Sequence, residues 1–326
     1  MRWIVSHGDT DGICSAAIAL SAFKDAKLYF SHPVGLAEDL AHVDGDVVIC
    51  DIALSESVFR QVVRELNRIS QGGNKIIYVD HHPLPQMFDA KEFPAEHVHS
   101  ATSCAAELTY TRLMKDGPKA MPEDMSRVAI FGAIGDYLDK TYEIERLLNR
   151  WEKRGLYLES GLIIQAIDAL GRNHDSKRKI AHFLAAAKTP SSDEWVVNLA
   201  IGEALREEVM RKKIKEDVKV VGQIAYVLDI DWSLGKSAVY AKGATEAMVG
   251  IGAETRRGFI EMSLRTHSEK IDMSRMLPQI AEKLGGTGGG HPKAAGARIP
   301  ADKFDQFLRL MNAEIAEKTG RLNVVY

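Results

Sequence analysis

Cysteine is scarce in this chain. The 326 residues include three, Cys14, Cys50 and Cys104, far apart and never in Cys-x-x-Cys spacing. An odd, scattered set excludes a disulfide framework and a thiolate zinc site, and leaves buried free thiols in a reducing compartment. Positive charge is not in excess either: 42 Lys+Arg against 45 Asp+Glu give a net charge of −3. A nearly neutral chain has no global field with which to grip long duplex DNA, although a short strand in a local cleft needs none. There is no aromatic-rich basic stripe of the kind that tracks long single strands. No apolar run reaches transmembrane length. The segment MRWIVSHGDTDG passes from a short apolar run straight into polar residues, unlike a signal peptide. The expectation is a cytoplasmic protein without a membrane partner. Internal repeats and low-complexity segments are absent.

What is present is ordinary in bulk: 45% hydrophobic and 27% charged residues, enough to bury the cores of two domains without covalent cross-links. Short apolar runs at Trp3–Val5, Leu28–Phe30, Val47–Ile49 and Ile76–Val79 alternate with amphipathic stretches. Ile13, Ala16, Ala17 and Leu20 recur at helical spacing, as do Val58, Val62, Val63 and Leu66. This alternation predicts parallel strands with crossover helices, an open α/β sheet. The stretch 101–187 reads as mainly helical, and a Pro/Ser break at 190–192 marks a boundary. Val197, Ile201, Leu205 and Val209 form an i, i+4 apolar stripe on a helix that ends in the basic run 211–215. After Asp217, short strands bounded by Gly (218–221, 224–228, 247–251, 259–264) and helices over 272–284 and 302–317 predict a smaller α/β domain. The expected organisation is therefore 1–189, a connecting helix 190–217, and 218–326.

Four features place acidic or imidazole side chains just beyond predicted strands: His7-Gly8-Asp9-Thr10-Asp11-Gly12, Asp51, Asp80-His81-His82-Pro83, and Asp136 within FGAIGD. In open α/β sheets the carboxyl ends of parallel strands form the ligand crevice, so these residues should converge. Asp9 or Asp11 alone could cap the helix that begins near Gly12, and Asp51 alone could serve a turn. Jointly those explanations fail. Asp9 and Asp11 are expected to alternate along extended backbone and share a face with His7. Carboxylates brought together there repel unless cations neutralise them. Oxygen and imidazole donors suit manganese or magnesium more than a dedicated zinc site, with cobalt and zinc left open. Asp9, Asp11, Asp51 and Asp136 carry four negative charges, the charge of two divalent cations. Two metals about 3.5–4 Å apart can activate a water and clamp a phosphoryl oxygen.

The ordered set His7-x-Asp9-x-Asp11-Gly12, Asp51, Asp80-His81-His82 and Gly135-Asp136 resembles the DHH phosphoesterase superfamily. Gly288-Gly289-Gly290-His291-Pro292-x-Ala294-Ala295-Gly296 and Ser263-Leu264-Arg265 resemble the DHH-associated domain of RecJ-like nucleases and oligoribonucleases. Ser31-His32-Pro33 and Thr102–Leu108 are similar to archaeal RecJ-like proteins, including Hef-associated nucleases. The resemblance implies that His7 and Asp9 serve a first metal and that Asp51 bridges. Asp11, His81 and Asp136 would complete the second. His82 would face the scissile phosphate, with Asp80 orienting the imidazoles. Two manganese ions per chain are implied, with magnesium or cobalt as substitutes.

In the second domain a Gly-rich turn lets backbone N–H groups approach an anion. Gly289, Gly290 and His291 in that turn, with Ser263 and Arg265 sharing one face of a strand, are the expected substrate-binding residues; an Arg there suits phosphate bidentately. The leading expectation is hydrolysis of a single-stranded DNA or RNA oligonucleotide with release of nucleoside 5′-monophosphates. The first alternative is a phosphodiesterase for cyclic or linear dinucleotides. The second is a component of a replication or repair complex with weak or no catalysis; a helicase or replisome protein and a second copy of the chain are the partners considered. Inorganic pyrophosphatases share the superfamily but carry another kind of second domain.

Overall fold

A computed structural model describes residues 1–116 and 121–320. Residues 117–120, inside the expected helical stretch, and 321–326, at the end of the expected second domain, lie outside the described residues. The chain divides into two compact units, Met1–Ala204 and Leu205–Tyr326. The division falls inside one continuous helix, Glu194–Asp217. No helix among the described residues is long and apolar enough to cross a membrane.

In the first unit five strands form a parallel sheet: β1 (Arg2–Ser6), β2 (Lys27–Phe30), β3 (Asp46–Cys50), β4 (Ile76–Asp80) and β5 (Glu96–His99), in the order β2-β1-β3-β4-β5. Three central strands are nearly unbroken apolar runs because helices cover both faces. Ile4 and Val48 pack into one core with α1 (Thr10–Ala22), α4 (Ala105–Met114), α5 (Met125–Gly135), α7 (Lys153–Leu170) and α8 (His174–Ala185). Val5, Val47, Ile49 and Tyr78 face the other way, against α2 (Leu36–Leu40) and α3 (Phe59–Gln71). Each such fully buried aliphatic side chain contributes about 1.5–3 kcal/mol. A short helix, α6 (Tyr142–Leu148), follows α5 and is capped by the Thr141 hydroxyl. Because β1 is followed by β2 on one side while β3 lies on the other, the strand order reverses between β1 and β3. A crevice opens at their carboxyl ends, the usual ligand site of such sheets.

Two expectations need correction here. Asp136 follows a helix, not a strand: it caps α5. The run VAIFGAIG is apolar on every side because α5 is buried nearly all round, and periodicity cannot separate that from a buried strand. Asp11 is not on extended backbone. Asp9 is the N-cap, accepting from Gly12 N–H at 3.0 Å, so the helix starts at Thr10 and Asp11 lies in its first turn.

From α9 (Glu194–Asp217) the second unit builds a six-stranded mixed sheet: β6 (Lys219–Val221), β7 (Ile224–Leu228), β8 (Val249–Arg256), β9 (Phe259–Thr266), β10 (Thr287–Gly290) and β11 (Ala294–Pro300), in the order β10-β11-β9-β8-β7-β6. Only β7 and β8 run parallel. Helices α11 (Met273–Lys283) and α12 (Phe304–Thr319) cover one face, with Leu264, Ile280 and Phe307 in their core. On the opposite face α10 (Leu234–Gly243) rides flush on β8. A Cβ at Gly250 would meet the Ala238 carbonyl oxygen at 1.9 Å, so nothing larger fits. The glycine-rich segment is not itself the turn. Thr287–Gly290 is an edge strand paired antiparallel with β11, and the turn is His291–Lys293, closed by His291 N–H donating to Ala294 O at 2.8 Å. Gly290 permits this with φ of 135°, where a Cβ would lie 2.7 Å from Ala295 Cα.

Candidate metal centre

The crevice at the strand ends of the first unit collects the residues singled out from the sequence. The chain leaves β1 at His7, whose N–H donates to Cys50 O at 3.2 Å, tying the ends of β1 and β3 together. Ser6 Oγ reinforces this by donating to Cys50 O at 3.2 Å, and anchors α1 by donating to Gly12 O at 2.7 Å. His7 Nδ1 is 2.9 Å from Asp9 Oδ2 and 3.9 Å from Asp51 Oδ2. On the other side, His81 Nε2 lies 3.2 Å from Asp51 Oδ1, 3.3 Å from Asp136 Oδ2 and 3.8 Å from Asp11 Oδ2. Two of the groups that result are His7/Asp9/Asp51 and Asp11/His81/Asp136. In each, one donor atom per residue lies within 4.8 Å of the others. Asp51 belongs to both sides: one carboxylate oxygen faces His7 and the other His81. It sits just past β3 with φ of 58°, a left-handed conformation that Asp tolerates better than most residues. Asp80, at the end of β4, accepts from His82 Nδ1 at 2.8 Å.

The electrostatics of these groups suit a cation. Asp51 is 2% exposed and its Oδ2 has no hydrogen-bond partner. Burial, with the Asp9, Asp11 and Asp136 charges, pushes its carboxyl well above the usual range. Burial and the neighbouring Asp136 push Asp11 up to about 7. Asp9 goes the other way: burial would raise it, but the His7 imidazole beside it outweighs that and holds it low. His7 is raised in turn, chiefly by Asp9. His81 is lowered by burial and stays neutral, the form that ligates a metal. For His82, burial is outweighed by Asp80, and the imidazolium is favoured. A buried carboxylate oxygen without a donor, amid like charges and a neutral imidazole, is a set that divalent cations fit.

Four supporting contacts were not legible in the sequence. Asp11 accepts from Ala105 N–H (2.6 Å) and Ala106 N–H (2.8 Å), the free donors at the start of α4. The close approach of α5 depends on Gly132, where a Cβ would fall 2.8 Å from Asp11 Oδ1. The buried Lys177, on α8, donates from Nζ to the Gly8 carbonyl, and His99 Nε2 donates to the His82 carbonyl at 2.8 Å. Lys177 lies 169 positions from Gly8, and no local pattern announces such a pairing. The three thiols are buried around this layer. Cys104 Sγ accepts from Glu107 N–H as the N-cap of α4, and Thr109 donates to Cys50 Sγ. Burial, with the nearby Asp11 charge, keeps Cys14 and Cys104 well above the ordinary thiol range, and burial raises Cys50 to about 12.

In the second unit, Arg265 Nη1 donates to Ser263 Oγ at 2.8 Å and to Leu264 O at 2.9 Å. A Cβ at Gly235 would lie 2.8 Å from Arg265 Nη2, so the guanidinium rests against the start of α10. Register sets Ser263 opposite Gly296 and Gly296 opposite Gly289, while Arg265 lies opposite Ala294. The space above Gly289 is open. Ser263, Arg265, Gly289, Gly290 and His291 thus belong to neighbouring strands and the turn that joins two of them.

Residues 3–133 match the model of the DHH family, N-terminal domain, and residues 220–317 match that of the DHHA1 domain. No curated protein matches the chain. Among solved structures it is similar to RecJ in complex with Mn2+ from Thermus thermophilus, at 20% identity and a TM-score of 0.68, over 97% of this chain and 52% of that one. The chain therefore spans about half the length of that relative. A second exonuclease RecJ, bound to manganese, matches at 19% identity and a TM-score of 0.64, over 98% of this chain and 92% of its own. A pGpG-specific phosphodiesterase from Vibrio cholerae matches at 15% identity and a TM-score of 0.58, over 97% and 99%. The chain belongs to the DHH family of phosphoesterases, with an N-terminal DHH domain followed by a DHHA1 domain.

Proposed function

We propose that this protein is a phosphodiester hydrolase that works with two divalent cations, manganese foremost, on short single-stranded oligonucleotides, releasing nucleoside 5′-monophosphates. The observation that carries this is Asp51: one buried carboxylate offers an oxygen to each of two donor groups, and one of those oxygens has no other partner. His7 and Asp9 would share the first cation with Asp51, and Asp11, His81 and Asp136 the second. When bound, such a pair makes water acidic enough to ionise near neutrality and neutralises charge on phosphoryl oxygens.

The protein's own groups position everything else. Asp80 accepts from His82 Nδ1–H and favours the charged ring, whose Nε2–H would donate to a phosphoryl oxygen as its charge grows. The α4 N-terminus fixes Asp11, and Lys177 fixes the Gly8 peptide between His7 and Asp9. In the DHHA1 domain, Arg265 and Ser263 on β9, with Gly289, Gly290 and His291, would hold the part of the strand not being cut, through phosphate and sugar contacts.

The test is a length series of labelled RNA and DNA oligomers, from dimer upward, incubated with manganese and with chelator. Cleavage of several lengths only in manganese is expected. Cleavage confined to the dimer would instead favour a dinucleotide phosphodiesterase, and no cleavage at any length would overturn the proposal.

A further inference from the structure

Helix α5 ends in a way its sequence should resist. Tyr137 N–H donates to Ile134 O at 3.3 Å and Leu138 N–H to Ala133 O at 2.8 Å. This pair of bonds closes a Schellman motif and needs a left-handed residue right after the cap. That residue is Tyr137, with φ of 58°. The position suits glycine, because a Cβ in this conformation crowds the following carbonyl oxygen. The same pair of bonds ends α11, Gly285 N–H to Glu282 O and Gly286 N–H to Ala281 O, and there the left-handed residue is a glycine with φ of 75°.

A bulky residue in such a conformation is ordinarily compensated by packing. Tyr137 is 81% exposed, so the strain gains little burial in the free protein. Strain of this kind concentrates at sites whose return comes on binding. The location agrees. Tyr137 directly follows Asp136, whose Oδ2 is 3.3 Å from His81 Nε2, and successive Cα atoms are only about 3.8 Å apart. A sugar and base attached to a phosphate bound beside Asp136 would therefore lie within one residue's spacing of Tyr137.

We propose that Tyr137 is a stacking platform for the nucleobase beside the scissile phosphate. This rests on the hydrolase reading above and narrows it: the substrate is a diester that carries a base at that position. Every base has a π-face, so such a platform selects for a nucleotide without selecting a sequence.

The experiment compares the parent with Tyr137→Gly, Tyr137→Asn and Tyr137→Phe, all in manganese. The substrates are a labelled dinucleotide and the same diester lacking the base at the position that would stack. Tyr137→Gly should melt higher, by about 2–4 °C, since the strain is removed. Its kcat/KM on the dinucleotide should fall about tenfold or more while turnover of the base-free diester is unchanged. Tyr137→Asn, which tolerates the left-handed conformation without a ring, should behave the same way. Tyr137→Phe should match the parent on both substrates. Unchanged kcat/KM on the dinucleotide in Tyr137→Gly, or an equal loss on both substrates, overturns the platform and leaves the hydrolase reading standing. A parent inactive on both substrates overturns the two together.

Discussion

Replacing Asp51 with asparagine should make the metal-free protein more stable and the metal-loaded protein less so. Asp51 shares a group with Asp9 in which donor atoms lie within 4.8 Å of one another. At that separation, and at an effective dielectric of about 20, two unit negative charges repel by about 3.5 kcal/mol. A proton taken up by Asp51 relieves the repulsion, but above neutral pH taking it up costs a similar amount. A neutral amide of the same shape removes the cost either way. In chelator near pH 8, Asp51→Asn should therefore melt about 7–14 °C above the parent, at roughly 2–4 °C per kcal/mol. In saturating manganese the order should invert, because ligand binding stabilises only the protein that binds it. Thermal melts with and without chelator, with elemental analysis of bound metal, read both halves. A variant that melts at or below the parent in chelator would refute the reasoning, since Asp51 would then be a structural acceptor.

The pH dependence has a definite sign. Asp11 has its folded pKa raised to about 7 from an ordinary 3.8, so the metal-free protein is favoured by protonation. That stability is complete below the unfolded pKa and is lost as pH rises through about 7; melts in chelator should fall across this window, and a rise would contradict it. Manganese must displace the same proton, so its affinity should increase over the same interval, measured by titration calorimetry at each end. Lys177→Met should weaken manganese binding several-fold, because the Gly8 carbonyl loses its buried cationic donor; unchanged affinity would reduce Lys177 to a packing role. His82→Ala should lower kcat while leaving oligonucleotide affinity near that of the parent. Arg265→Ala and His291→Ala should retain both metals but bind a non-hydrolysable oligomer more weakly, and parental affinity in both would remove the DHHA1 face as the substrate clamp.

The sheet and most of the cluster were legible because buried parallel strands are continuous apolar runs. Trp3–Val5, Val47–Ile49 and Ile76–Val79 announce β1, β3 and β4, and so place His7, Asp51 and Asp80 at their ends. β5 was not visible: Glu-His-Val-His is a half-buried edge strand with no apolar run. The helix under Asp136 passed for a strand because it is apolar all round. The glycines at 288–290 passed for a turn because composition alone does not distinguish a turn from an edge strand. Tyr137 carries no signal in the sequence, because neither its exposure nor its positive φ can be read from one-dimensional pattern.

The buried thiols have a consequence for which cations the site admits. Cys14, Cys50 and Cys104 are packed in the same layer as Asp11, yet burial and the carboxylates keep all three protonated far above neutral pH. A thiol ligates effectively only as thiolate. The donors most readily on offer are thus oxygen and imidazole, although sulfur is nearby. Soft ions such as cuprous copper or mercury, which favour sulfur, would have to reach a buried thiol and displace its proton. Reagents that modify thiols should likewise leave the folded protein untouched, so its tolerance of them reports on whether this layer is closed.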